Sequence, residues 1–131
     1  MPDFDKPENA VEGESRHAGR PEMDVVLVYM TFPDAEKAAA AGEDLVGRQL
    51  AACVNIIPGM VSIYRWQGEI TRDGEAVMVV KTRRALAEAV MAAVRVRHPY
   101  ENPAMLVIPV IGGAEAFLAW IAEATRPLPQ A

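Results

Sequence analysis

Residues 50–70, LAACVNIIPGMVSIYRWQGEI, set the first constraint on how this chain can fold. They are rich in β-branched and aromatic side chains, which suit a pleated, half-buried surface. Only Pro58-Gly59 punctuates the run, as a kink or bulge in one long strand or as a break between two short ones. Fully extended, residues 51–67 would span roughly 55 Å at about 3.3 Å per residue. A globule of about 100 residues has a radius of gyration near 13 Å and is only about 35 Å across. The strand therefore outruns its own domain. Beyond Pro58 both faces carry large groups, Val61 and Ile63 on one and Met60, Tyr64 and Trp66 on the other. Apolar surface of this kind marks a contact site, and the expected occupant is another copy of the chain.

The 131 residues are enough for one domain with a hydrophobic core. Residues 1–22 are polar, with Pro2, Pro7 and Pro21 among scattered charges, and read as a disordered tail that includes His17. A domain over residues 23–126 follows, then a short tail, 127–131. The net charge of −5 argues against nucleic acid, whose binders present basic faces. The single Cys53 excludes an intrachain disulfide and reads as a buried, inert thiol. No apolar run approaches the length of a membrane span, and no signal peptide is evident, so the expected location is cytoplasmic.

Taken in order, residues 25–30 (VVLVYM) form a continuous apolar run, as in a strand covered on both faces. Asp34 is placed to cap a helix over residues 35–49, whose inner face is Ala38, Ala41, Gly42 and Leu45; small residues there let it lie close to a sheet. After the long strand, Thr71-Arg72-Asp73-Gly74 supplies hairpin chemistry, and Glu75 opens a third strand that is apolar over residues 76–80. Leu86, Val90, Ala93 and Val94 recur at helical spacing over residues 84–97, and His98-Pro99 stops that helix. Residues 105–110 form a strand whose Pro109 confines it to an edge. Phe117, Trp120, Ile121 and Ala124 mark a final helix. The order β-α-β-β-α-β plus one helix is the ferredoxin-like, split β-α-β arrangement, an α+β fold with a mainly antiparallel sheet and a long β2–β3 hairpin. The two continuous apolar runs fall on the strands that this fold makes central.

Leu50-Ala51-Ala52-Cys53-Val54-Asn55, Ser62-Ile63-Tyr64-Arg65-Trp66 with Gly68, Lys81-Thr82, His98-Pro99-Tyr100-Glu101 with Pro103, and Phe117-Leu118-Ala119-Trp120 together resemble the CutA family of divalent-ion tolerance proteins. The resemblance spans about residues 25–125. It implies a homotrimer built through the long hairpin, with Met60, Ile63, Tyr64 and Trp66 at the interface. It also implies a role in tolerance of copper and other divalent metals, with no required cofactor. By position in the family pattern, the metal ligands implied are Met30, Glu75 and His98, where Met30 replaces a cysteine and Arg97 replaces a second histidine. The first and third strands are expected to run parallel, which puts His98 and Glu75 at one end of the domain and Met30 at the other, about 15–20 Å away. A shared site would then have to cross a subunit boundary. His98 has a plainer reading as a histidine at a helix C-terminus, bonding free carbonyls. Lys81, Arg83, Tyr100 and Glu101 are candidate lining for a cleft between subunits that takes a small anionic ligand, as in PII-type trimers, an analogy of fold. No P-loop, no GxGxxG after a strand and no HExxH is present, so the expectation is a non-enzymatic protein.

Overall fold

The computed structural model describes residues 24–126; the expected tails lie outside them. Strand β1 is Val25–Phe32 and is followed by helix α1, Ala35–Gly47. The hairpin is β2, Cys53–Trp66, and β3, Glu69–Arg83. A 3₁₀ turn, Arg84–Leu86, leads into α2, Ala87–Arg95; β4, Met105–Pro109, and α3, Glu115–Ala124, complete the chain. The strands form one sheet in the order β2-β3-β1-β4, every neighbouring pair antiparallel. This is the ferredoxin-like arrangement, with the two apolar strands at its centre and the proline-bearing β4 at an edge.

Asp34 caps α1 as its chemistry requires, its Oδ1 accepting the Lys37 backbone N–H at 2.8 Å. That bond is the main reason its carboxyl is held below its ordinary range. The core packs α1 and α2 against the sheet: Val26, Val28, Met30, Phe32, Met78 and Val80 meet Ala38, Ala41, Leu45, Val90 and Val94. A second cluster, Val25, Ala52, Leu118 and Ile121, seats α3.

Three expectations are corrected. The hairpin turns at Gln67-Gly68, not at residues 71–74. Both turn residues are left-handed, φ 49° and 81°, as a two-residue hairpin loop needs to match the twist of its strands. Asp73 and Gly74 are paired strand residues opposite Ser62 and Val61, so Glu75 sits inside β3 rather than at its start. Second, β1 and β3 are antiparallel. The α1 crossover makes β2 parallel to β1, and the tight hairpin then reverses β3. Third, α2 ends at Arg95, so His98 lies beyond its last turn.

Pro58-Gly59 is a bulge: the β2–β3 register shifts between Ile57 and Met60, with Gly59 at φ 75°. Beyond it the hairpin leaves the body of the sheet. β1 pairs with β3 only from Ala76 to Arg83, whereas Met60–Trp66 pair solely with Glu69–Glu75. This two-stranded arm is roughly 20 Å long at about 3.4 Å per residue.

Candidate functional site

The arm and the loop after α2 meet at the Phe32 end of β1. Arm pairing follows from the Gln67-Gly68 turn: Tyr64 opposes Thr71, Ser62 opposes Asp73 and Met60 opposes Glu75. Ser62 Oγ donates to Glu75 Oε1 at 2.6 Å and lies 3.3 Å from Met60 Sδ. The Tyr64 hydroxyl donates to Asp73 Oδ2. That bond is the main reason the Tyr64 phenol titrates above its ordinary value. Glu75 Oε2 accepts a second hydroxyl, that of Tyr100, at 3.0 Å. Partial burial first, and then this carboxylate, push the Tyr100 phenol up to about 12.

His98 is buried in the loop that carries Tyr100. Its Nε2 lies 2.7 Å from the Thr31 carbonyl, which can only accept, so Nε2 carries the proton. Its Nδ1 lies 3.0 Å from the Tyr100 backbone N–H, which can only donate, so Nδ1 is the acceptor. These partners select the neutral Nε2–H tautomer and engage both nitrogens. The ring also stacks on Phe32 at 4.6 Å and lies 4.8 Å from the Tyr100 ring, tilted to it by 50°.

Met30 is fully buried in the core, opposite Met78 on β3. The antiparallel register thus brings Met30 to the same end of the domain as Glu75 and His98, which corrects the expected separation. Among the described residues, no group of three or more His, Cys, Asp or Glu side chains is arranged to hold a metal ion. Arg97 donates to the Ala40 carbonyl at 3.0 Å and ties the end of α2 to α1.

The expected anion-cleft residues divide into two groups. Lys81 pairs with Leu27 and holds its ammonium 5.3 Å from the Phe117 ring centroid. Arg83 donates to the Thr125 hydroxyl and carbonyl, at 2.9 and 3.1 Å, at the C-terminus of α3. Tyr100 and Glu101 sit at the other end of β1. One chain alone does not bring the four together.

The expected contact residues behave differently from one another. Trp66 and Ile63 are 61 and 63% exposed, and Tyr64 and Val61 are exposed beside them, while Met60 is half-buried. Ile70, at 71%, belongs to the same surface, though the sequence reading did not select it. Ser62 and Asp73, which the sequence offers only as part of a family motif and of a turn, also belong to the site, as do Thr31 and Phe32. The pairing of Ser62 with Asp73 follows directly once Gln67-Gly68 is taken as the turn. The contact of His98 with Thr31 has no signal in the sequence.

The family of CutA1 divalent ion tolerance proteins matches residues 26–124. The divalent-cation tolerance protein CutA of Thermus thermophilus is 40% identical over 99 residues, 76% of this chain and 96% of that protein. The chloroplastic CutA protein of Arabidopsis thaliana is 37% identical over 101 residues, 77% of this chain. The chain spans only 56% of that plant relative's length. Among solved structures, CutA from Xylella fastidiosa superimposes with a TM-score of 0.76 at 36% identity, covering 79% of this chain and 99% of that one.

Proposed function

Because the chain belongs to the family of CutA1 divalent ion tolerance proteins, we propose that it serves tolerance of divalent metals, copper among them, as a non-enzymatic cytoplasmic homotrimer. The observation that carries the assembly is the arm. Val61, Ile63, Tyr64, Trp66 and Ile70 stand in solvent on a ribbon that no helix among the described residues covers. A two-stranded ribbon is at best marginally stable by itself in water, so this one needs a surface to lie against. Leu106, Ile108 and Ile111 offer such a surface at the opposite edge of the sheet, also exposed. Arm and edge are different surfaces, so their union is head-to-tail, and a rotation that closes gives a ring. The number three comes from the family resemblance.

The tolerance role is tested by deleting the gene and measuring growth in graded copper, zinc and cobalt. Sensitivity restored by the wild-type chain supports it, and unchanged growth in all three rejects it. Sedimentation equilibrium tests the trimer, and cell fractionation the location.

A second reading is favoured by the division of Lys81 from Tyr100 and Glu101 across the length of β1. In a ring, the Lys81 end of one copy and the Tyr100 end of the next together form a cleft for a small anion. A thermal-shift series with nucleotides and small carboxylic acids tests it: stabilisation lost in Lys81→Ala supports the cleft.

A further inference from the structure

We propose that in this protein His98, Glu75 and Met30 form no metal site, and that His98 and Glu75 act instead as the two ends of a clasp that fastens the arm to the body. The inference goes beyond the tolerance role, which stands or falls separately. It rests on the donor atoms. A metal-bound imidazole offers the lone pair of one nitrogen and usually donates an N–H from the other to a second-shell acceptor. His98 has the second half of that arrangement, Nε2–H to the Thr31 carbonyl. Its remaining lone pair, on Nδ1, is taken by the Tyr100 N–H. Phe32 and Tyr100 pack against the ring. A cation approaching Nδ1 would have to displace a backbone N–H.

Both Glu75 oxygens are hydrogen-bonded within the chain. One oxygen accepts from Ser62 and the other from Tyr100. The Met30 side chain is closed in the apolar core with Phe32 and Met78. The contacts instead make a continuous chain: Thr31 on β1, His98, Tyr100, Glu75 on β3 and Ser62 on the arm. His98 is a positioning residue here. It holds the Tyr100 backbone, and with it the phenol, where the hydroxyl meets Glu75 at the base of the arm.

The test uses full-length protein labelled with ¹⁵N-histidine and titrated with Zn(II) and, anaerobically, with Cu(I). A His17→Gln variant assigns the signals of the two histidines. Both His98 nitrogens are expected to keep the neutral Nε2–H pattern at metal excess. A saturable shift or loss of either His98 signal overturns the proposal. In a second arm, amide exchange is followed in His98→Ala. Exchange at Tyr100 and Ser62 is expected to rise roughly fivefold, the factor for losing one neutral hydrogen bond. Should that variant not fold, Tyr100→Phe replaces it: faster exchange at Ser62 with unchanged His98 signals supports the clasp. Unchanged exchange in the variant used overturns it.

Discussion

The Tyr100 hydroxyl and Glu75 Oε2 stand 3.0 Å apart, joining the loop after α2 to the arm of the hairpin. Partial burial and the neighbouring carboxylate both favour the protonated phenol, which raises its pKa from 10 to about 12. The folded state therefore holds this proton more tightly than the unfolded chain does. The resulting stabilisation is complete below pH 10 and is lost as pH rises through about 12. Tyr100→Phe has no such proton to release. In urea unfolding followed across this alkaline range, the variant should lose stability less steeply than wild type. Parallel slopes would mean that the phenol is neither partly buried nor bonded to Glu75 in solution.

Helix α1 lies on the sheet through Gly42. A Cβ there would stand 2.6 Å from Val54 Cγ2 and 3.3 Å from Met78 Sδ. Val54 is β-branched and fixed in β2 opposite Val80, so its methyl has little room to retreat. Alanine would gain about 1 kcal/mol in helix propensity. Overpacking costs about 1–3 kcal/mol. Gly42→Ala should therefore destabilise by about 1 kcal/mol net, measured by denaturant titration. In a Val54→Ala background the same change should be neutral or stabilising, because the obstructing methyl is gone.

The hairpin turn carries Gln67 at φ 49°, a left-handed conformation that a long side chain adopts at a cost. Asparagine tolerates it better, and Asn-Gly is the favoured pair for a two-residue hairpin loop. Gln67→Asn should raise stability by a few tenths of a kcal/mol. Gly68→Ala, at φ 81°, should lower it. Thermal unfolding of the two variants beside wild type checks both signs, and a stabilising Gly68→Ala would contradict the turn as described.

The fold was legible because its strongest signals are local. The apolar runs of β1 and β3, the Asp34 cap, the bulge at Pro58-Gly59 and the edge proline Pro109 each act within a few residues. The turn is less legible, because Asp73-Gly74 has better hairpin chemistry than Gln67-Gly68. Register decides between them, and register depends on the partner strand. The direction of β3 does not depend on the turn's place: a hairpin at either pair reverses it, and with β2 parallel to β1 this sets β3 antiparallel to β1 and brings Met30 to the end that holds Glu75. The candidate site was the least legible part. His98 and Thr31 are separated by 67 residues in the chain, and only their contact shows that the imidazole is fully engaged.

Trp66 gives the sharpest check on the arm as an assembly device. It is 61% exposed and lies at the hairpin tip opposite Glu69, away from both core clusters. Truncating it leaves both core clusters intact, so secondary structure by circular dichroism should be unchanged in Trp66→Ala. In an assembly the indole would become an anchor, and tryptophan anchors at interfaces commonly cost 2 kcal/mol or more when truncated. That corresponds to a loss of about thirtyfold in affinity between copies. Sedimentation velocity over a dilution series should therefore show Trp66→Ala dissociating at higher concentration than wild type, with Ile63→Ala doing the same to a lesser degree. Val96 is 88% exposed at the end of α2 and provides the control, since Val96→Ala should leave the oligomer intact. An unchanged oligomer in Trp66→Ala and Ile63→Ala together would remove the arm from the interface.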